Sequence, residues 1–284
     1  MPEGKGRLDG KVAIVTGAGS RGPGIGNGRA ISVSFAREGA RVVLVDQVRQ
    51  WVEETYGMIV EEKGTAIVVE ADVTAPASCD AAVAAAIRQW GRLDILVNNV
   101  GIGGPGGTAV EVDPEAWERA LRVNVTSMML MAKYAIPRMI EQGGGAIINI
   151  ASVAGLTGGH PALLYPTSKG AVVNMTRAMA SHHGEQGVRV NCIAPGMVYT
   201  PMVGAGTMPP EVREARRNRS LLKTEGTAWD VANAAVYLAS DEARWVTGVI
   251  LPVDAGHTAG QSVPRAVTSE GKTVLLVPDR PADT

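Results

Sequence analysis

The sequence predicts one α/β domain, a doubly wound parallel sheet of seven strands with helices on both faces. Three observations predict it. Short β-branched runs alternate with longer amphipathic stretches through residues 8–256. Each short run is almost continuously apolar, the pattern of strands covered on both faces. No linker-like segment interrupts that span, and no repeat of 20–50 residues recurs in it. Residues 1–7 then form an N-terminal arm and residues 257–284 a C-terminal extension.

The strands are expected at Val12–Thr16, Arg41–Asp46, Ala66–Glu70, Leu93–Val97, Ala146–Ile150, Arg189–Ile193 and Val249–Val253. Helices are expected between them. Arg29–Glu38 stops at Gly39 and Pro76–Trp90 stops at Gly91, since glycine takes the left-handed conformation that ends a helix. Pro114–Glu141 opens with Asp113 as cap and a proline in the first turn. Ala162–His183 and Ala228–Ala239 complete the set, the latter with Thr227 as cap and Asp230 three residues on.

Composition excludes several classes of function. Of 284 residues, 27 are Lys or Arg and 28 are Asp or Glu, so the excess of positive charge that neutralises phosphates is missing and a nucleic-acid partner is not expected. Hydrophobic residues at 45% suffice for a buried core. No apolar run approaches the length of a membrane span, and no secretory segment follows the early basic residues, so a cytoplasmic protein without a membrane partner is expected. Cys79 and Cys192 cannot build a disulfide framework, and the four histidines have no spacing that suggests a metal site.

Between the first strand and the first helix runs Thr16-Gly17-Ala18-Gly19-Ser20-Arg21-Gly22-Pro23-Gly24-Ile25-Gly26-Asn27-Gly28. Glycines in that position let the backbone turn tightly and approach a pyrophosphate held at the helix N-terminus. Asp46 closes the second strand 20 residues after Gly26, where a carboxylate accepts hydrogen bonds from an adenosine ribose. A dinucleotide site follows.

On these residues, 8–256 resemble the short-chain dehydrogenase/reductase family, whose glycine motif is Thr-Gly-x-x-x-Gly-x-Gly. The loop is longer here. Three residues are inserted if Gly24 and Gly26 are the later glycines, five if Gly26 and Gly28 are; Gly24-Ile25-Gly26 suits the first register and Arg29-Ala30-Ile31 the second. The resemblance implies a Rossmann fold and cofactor contacts from Gly17, Ser20, Arg21, Gly24, Ile25 and Gly26. Asp72-Val73 matches the family's adenine-contacting pair. Asn98-Asn99-Val100-Gly101 matches its Asn-Asn-Ala-Gly signature with Val in place of Ala, and Asn98 and Gly101 are the expected contacts. Asp46 would repel a ribose 2′-phosphate, which favours NAD over NADP, while Arg21 could offset this by pairing with a phosphate. The extra loop residues are expected to bulge outward near the adenosine side, shaped by Pro23.

Tyr165 and Lys169 lie four residues apart on one helix face. A phenol titrates near pH 10, and a neighbouring ammonium brings it towards a useful range for proton transfer. Ser152 stands 13 residues before Tyr165 at a strand end, and Asn124 lies in the preceding long helix. The family's tetrad is Asn, Ser, Tyr and Lys in that order, and all four match. The resemblance gives Tyr165 the substrate proton, Ser152 the substrate oxygen, Lys169 the Tyr165 pKa and the nicotinamide ribose, and Asn124 a positioned water. Pro195, Gly196, Val198 and Thr200 then fall in the stretch beside the nicotinamide.

Residues 197–225 occupy the family's variable substrate lid. Met197 and Met202, together with Val153 and His160, are the candidate substrate contacts, and adaptable methionines suit a medium-sized, largely apolar alcohol or ketone. The run Arg213, Arg216, Arg217, Arg219 reads as a solvated helix face. The resemblance also implies a homotetramer, with the apolar run Val274-Leu275-Leu276-Val277 docking against the same or a neighbouring subunit. The expected activity is hydride transfer between NAD(H) and a secondary alcohol or ketone. An NADPH-dependent 3-oxoacyl-thioester reductase and a non-catalytic dinucleotide-binding regulator are the alternatives.

Overall fold

The computed structural model describes residues 6–204, 206–263, 265–267 and 273–275. Seven strands form one all-parallel sheet in the order β3-β2-β1-β4-β5-β6-β7. They are β1 (Val12–Thr16), β2 (Arg41–Asp46), β3 (Thr65–Glu70), β4 (Ile95–Asn98), β5 (Gly145–Ile150), β6 (Val188–Pro195) and β7 (Ile250–Val253). The order reverses between β1 and β4, and the crevice at such a switch point is where doubly wound sheets bind ligands.

Side-chain alternation explains why the strands read as unbroken apolar runs. Ala13 and Val15 of β1 join the core under one face, with Val42 and Leu44 of β2 beside them. Val12, Ile14, Val43 and Val45 point into the other. The first core is closed by α1 (Asn27–Arg37), α2 (Arg49–Glu61) and α8 (Ala228–Ala239). The second is closed by α3 (Pro76–Trp90) and α5 (Ser127–Glu141). Both free thiols are buried, Cys79 in the second core and Cys192 in a smaller cluster with Met128 and Val172, and desolvation pushes each up to about 11, where they are inert.

Asp113 caps α4 (Pro114–Leu121) by accepting from the Ala116 N–H at 2.7 Å. The carboxylate of Asp230 accepts from the Thr227 N–H at 2.7 Å at the start of α8. The single helix expected over Pro114–Glu141 is instead interrupted by a π-turn, Arg122–Thr126, between α4 and α5. Such a turn widens the helix locally and marks functional sites; here it carries Asn124. Helix α2 escapes the hydrophobic pattern because only Val52, Thr55 and Ile59 of it are buried, too thin a stripe to stand out. Long α6 (Leu164–His183) follows β5, and short α7 (Pro210–Arg217), with no buried residue, follows β6. In the extension, β8 (Arg265–Val267) pairs antiparallel with β9 (Thr273–Leu275). Leu276 and Val277 of the expected docking run lie outside the described residues.

Candidate active site

Two glycines fix the register of the loop after β1. Gly17 sits at φ +62°, the left-handed turn that glycine enters without strain. Gly28 lies in the first turn of α1, and a Cβ there would stand 1.9 Å from the Gly17 carbonyl oxygen. Helix and strand approach this closely only through glycine, so Gly26 and Gly28 are the later motif glycines and Arg21–Ile25 is the insertion. The Asn99 side chain braces the same turn, donating to the Thr16 and Gly17 carbonyls at 3.1 and 3.0 Å.

Arg21, at the start of the insertion, lines the cavity, whereas Gly24, near its end, lies beside Pro201 beyond β6. It is held there by Arg29, only 4% exposed, which donates to the Gly24 carbonyl at 2.9 Å, to the Trp51 carbonyl at 3.2 Å and to Glu54 at 2.6 Å. Arg29 also donates to Thr55, whose hydroxyl in turn donates to the Ala18 carbonyl. Gly24 and Ile25 lie off the cavity lining, and Ile25 packs on the core instead. Gly17, Ser20, Arg21 and Gly26 line it.

At the end of β2, Asp46 is buried on the cavity wall. Its carboxylate accepts from the Gly19 N–H at 3.0 Å and the Val48 N–H at 3.2 Å, which leaves acceptor capacity on both oxygens. Asp72 and Val73 line the same end, with Asp72 holding Thr74 through two 2.9 Å hydrogen bonds. Trp51 and Gln47 line it too; neither carries a spacing signal in the sequence.

The opposite wall is built by the end of β5 and the first turns of α6. Ser152, Tyr165 and His160 face the cavity, the two rings 5.3 Å apart between centroids. Burial pushes the Tyr165 phenol up, and its hydrogen bond with Ser152 pulls the other way. Lys169 stands behind Tyr165, 3% exposed, with Nζ 5.7 Å from the phenol ring centroid and donating to the Ile150 carbonyl at 3.0 Å. Burial brings this ammonium down to about 8. Asn124 joins the wall from the π-turn: it accepts from the Ile102 N–H at 2.8 Å and donates to the Ile102 carbonyl and the Ser168 hydroxyl. Ser168 donates onward to the Tyr165 carbonyl at 2.8 Å. Gly101 lets the chain pass close to this lysine: a Cβ on it would lie 3.2 Å from Lys169 Nζ.

Besides Gly24 and Ile25, four more expected cofactor residues do not reach the lining. Lys169 is the second layer just described. Asn98 is a structural tie, donating to Asn149 on β5 and to the Met128 carbonyl, while its neighbour Asn99 faces the cavity. Pro195 ends β6, and Val198 is buried with its carbonyl accepting from Arg216 at 3.2 Å. Gly196 and Thr200 do line the cavity, as do Val153, Met197 and the 55%-exposed Met202.

The basic run divides. Arg213 pairs with Glu225 and stacks on Tyr199, and Arg217 pairs with Glu214, as a solvated face should. Arg216 and Arg219 instead line the cavity with His257. A helix-face reading cannot separate these pairs, because the difference arises from where α7 settles.

The whole cavity measures about 1350 Å³. That exceeds the roughly 300–1,000 Å³ of a drug-sized site and has room for a dinucleotide together with a small substrate. The close glycine cradle, the buried acidic residue at the strand end, and Asn27 Oδ1, buried on the lining without a partner among the described residues, fit a dinucleotide. Among the described residues no group of His, Cys, Asp or Glu could hold a metal ion, and no helix is long and apolar enough to cross a membrane.

A family model described as enoyl-(acyl carrier protein) reductase matches residues 22–258. The chain is 40% identical over 256 residues to 2,5-dichloro-2,5-cyclohexadiene-1,4-diol dehydrogenase of Sphingobium indicum, covering 89% of this chain and 98% of that protein. It is 36% identical over 261 residues to meso-2,3-butanediol dehydrogenase of Serratia marcescens, covering 92% of this chain and 100% of the relative. A solved structure of 7α-hydroxysteroid dehydrogenase complexed with NADH and 7-oxo glycochenodeoxycholic acid superposes with a TM-score of 0.81 at 36% identity, covering 88% of this chain and 95% of that one.

Proposed function

We propose that this chain, which belongs to the short-chain dehydrogenase/reductase family and is an oxidoreductase acting on CH–OH groups, transfers a hydride between NAD(H) and a medium-sized secondary alcohol or its ketone. The observation that carries the reading is the wall of Ser152 and Tyr165 on the cavity with Lys169 and Asn124 behind it. When bound, the nicotinamide supplies or accepts the hydride; the protein's part is binding and proton transfer. Tyr165 takes the alcohol proton in oxidation and returns it to the carbonyl oxygen in reduction. Ser152 donates a hydrogen bond to that oxygen and stabilises its developing charge. The buried Lys169 ammonium favours phenolate, and the Asn124–Ser168–Tyr165 carbonyl chain fixes the first turn of α6 so that the phenol keeps its place.

Asp46 supports NAD. Its buried carboxylate has acceptors for a ribose diol and repels a 2′-phosphate, whereas Arg21 is exposed on a long loop. A 3-oxoacyl-thioester reductase using NADPH would bring its extra phosphate against that carboxylate.

Tyr165→Phe tests the chemistry. The ring stays, so NADH binding followed by fluorescence should be unchanged. Turnover should fall about 10²–10⁴-fold, the range for removing a general acid–base. Turnover close to that of the unaltered protein would remove Tyr165 from the role.

A further inference from the structure

Arg216 and Arg219 are cations on the cavity wall without an anion. Among the described residues no carboxylate lies within ion-pair distance of either guanidinium. Glu225, the acidic residue near Arg216, is already held by two nitrogens of Arg213. Arg216 is half-buried and keeps a single bond, to the Val198 carbonyl. Its burial and then the positive charge of Arg219 push the guanidinium below its ordinary value, and the Glu225 carboxylate only partly offsets them. An unpaired, partly desolvated charge beside a like charge is costly, and an anion between them would relieve both. His257 lines the same wall, with Nδ1 3.1 Å from the Arg219 carbonyl, so the C-terminal turn after β7 carries a third nitrogen-bearing group there.

Their place in the fold says which ligand they face. The two arginines follow β6 and His257 follows β7, whereas Asp46 ends β2. In the sheet order, β6 is four strands from β2, roughly 19 Å at the usual spacing. They are therefore remote from the adenosine ribose and close to Met197 and Met202 at the substrate end.

Resting on the dehydrogenase reading above, we propose that the substrate is an anionic secondary alcohol or ketone, whose carboxylate or equivalent oxyanion is held by Arg216 and Arg219 while its reacting carbon faces Tyr165. The apolar methionines then take the carbon chain between the two ends. Guanidinium–carboxylate hydrogen bonds are charge-assisted and directional, which makes this end of the cavity the natural selector among alcohols.

The test uses a matched pair of ketones, 5-oxohexanoate and 2-hexanone, differing in the terminal carboxylate. Binding is measured by calorimetry on the cofactor-loaded protein and turnover by reduced-nicotinamide absorbance. The expected result is a preference for 5-oxohexanoate of at least about tenfold. The preference should fall towards one in Arg216→Gln/Arg219→Gln. Arg219→Gln alone, an exposed change that does not threaten folding, should move it the same way by less, and Arg219→Lys should restore part of it. Equal affinity for the two ketones, or a preference untouched by both glutamine variants, overturns the proposal. So does an equal weakening of both ketones and of NADH, which would assign the arginines to the cofactor or the scaffold. Arginine-dependent binding of 5-oxohexanoate without turnover supports the anion site and counts against hydride transfer.

Discussion

The two ends of the cavity are made of different material. The dinucleotide end is held through backbone groups: Gly17 against Gly28, two carbonyls that the Asn99 amide braces, and two N–H groups that bind the Asp46 carboxylate. The substrate end is defined by side chains on short, exposed segments, with Met202, Arg216 and Arg219 on a lid that contributes no buried residue from α7. Backbone geometry tolerates almost no substitution, whereas a side-chain wall on a loop can be rewritten without disturbing the sheet. The fold therefore fixes one ligand tightly and leaves the other to the lid.

Gly28→Ala should break the first end most severely. The added methyl must displace the Gly17 carbonyl, at a cost of about 1–3 kcal/mol in stability, and NADH affinity should fall by tenfold or more; a fluorescence titration beside a thermal melt reads both. Lys169→Met sharpens the electrostatics of the chemical wall. In the folded protein this ammonium titrates at about 8, against about 10.4 when unfolded. Below about pH 8 both states hold the proton and the burial cost is fully present. Between the two values the unfolded state binds more protons, so stability of the unaltered protein should rise with pH, by an amount on the order of 3 kcal/mol. The methionine variant should lack that rise, which denaturant titrations at pH 7 and 10 detect. Arg29→Met should free the end of the insertion, costing about 1–3 kcal/mol through the lost buried hydrogen bonds and raising hydrogen exchange at residues 21–25. Smallest is Asp46→Ala, which should shift the NAD-over-NADP ratio by about tenfold, or 1.4 kcal/mol.

The same contrast governs how much was legible before the structure. Strands β1 and β2 and helices α3 and α8 carry patterns and caps strong enough to be bounded from residues alone, as Thr227 with Asp230 illustrates. The order Asn124, Ser152, Tyr165, Lys169 was legible too, and all four meet around one wall. The register of the long glycine loop was not, because Gly24-Ile25-Gly26 and Gly26-Asn27-Gly28 look alike until the Gly17 carbonyl is seen against Gly28. The π-turn was hidden, since a single extra residue in a helical turn leaves the apolar period nearly intact. Asn98 and Asn99 look alike in the sequence, and only the fold ties the first to Asn149 while setting the second on the cavity wall at the Gly17 turn. Arg216 and Arg219 differ from Arg213 and Arg217 solely through tertiary placement, which no local pattern records.

The central claim, hydride transfer between NAD and a secondary alcohol, is tested most directly by following the reduced-nicotinamide absorbance of the unaltered protein. A panel of secondary alcohols, neutral and carboxylate-bearing, is offered with NAD and with NADP in turn. Turnover with NAD should stand well above that with NADP. An absence of turnover across the panel, or a clear preference for NADP, would contradict it.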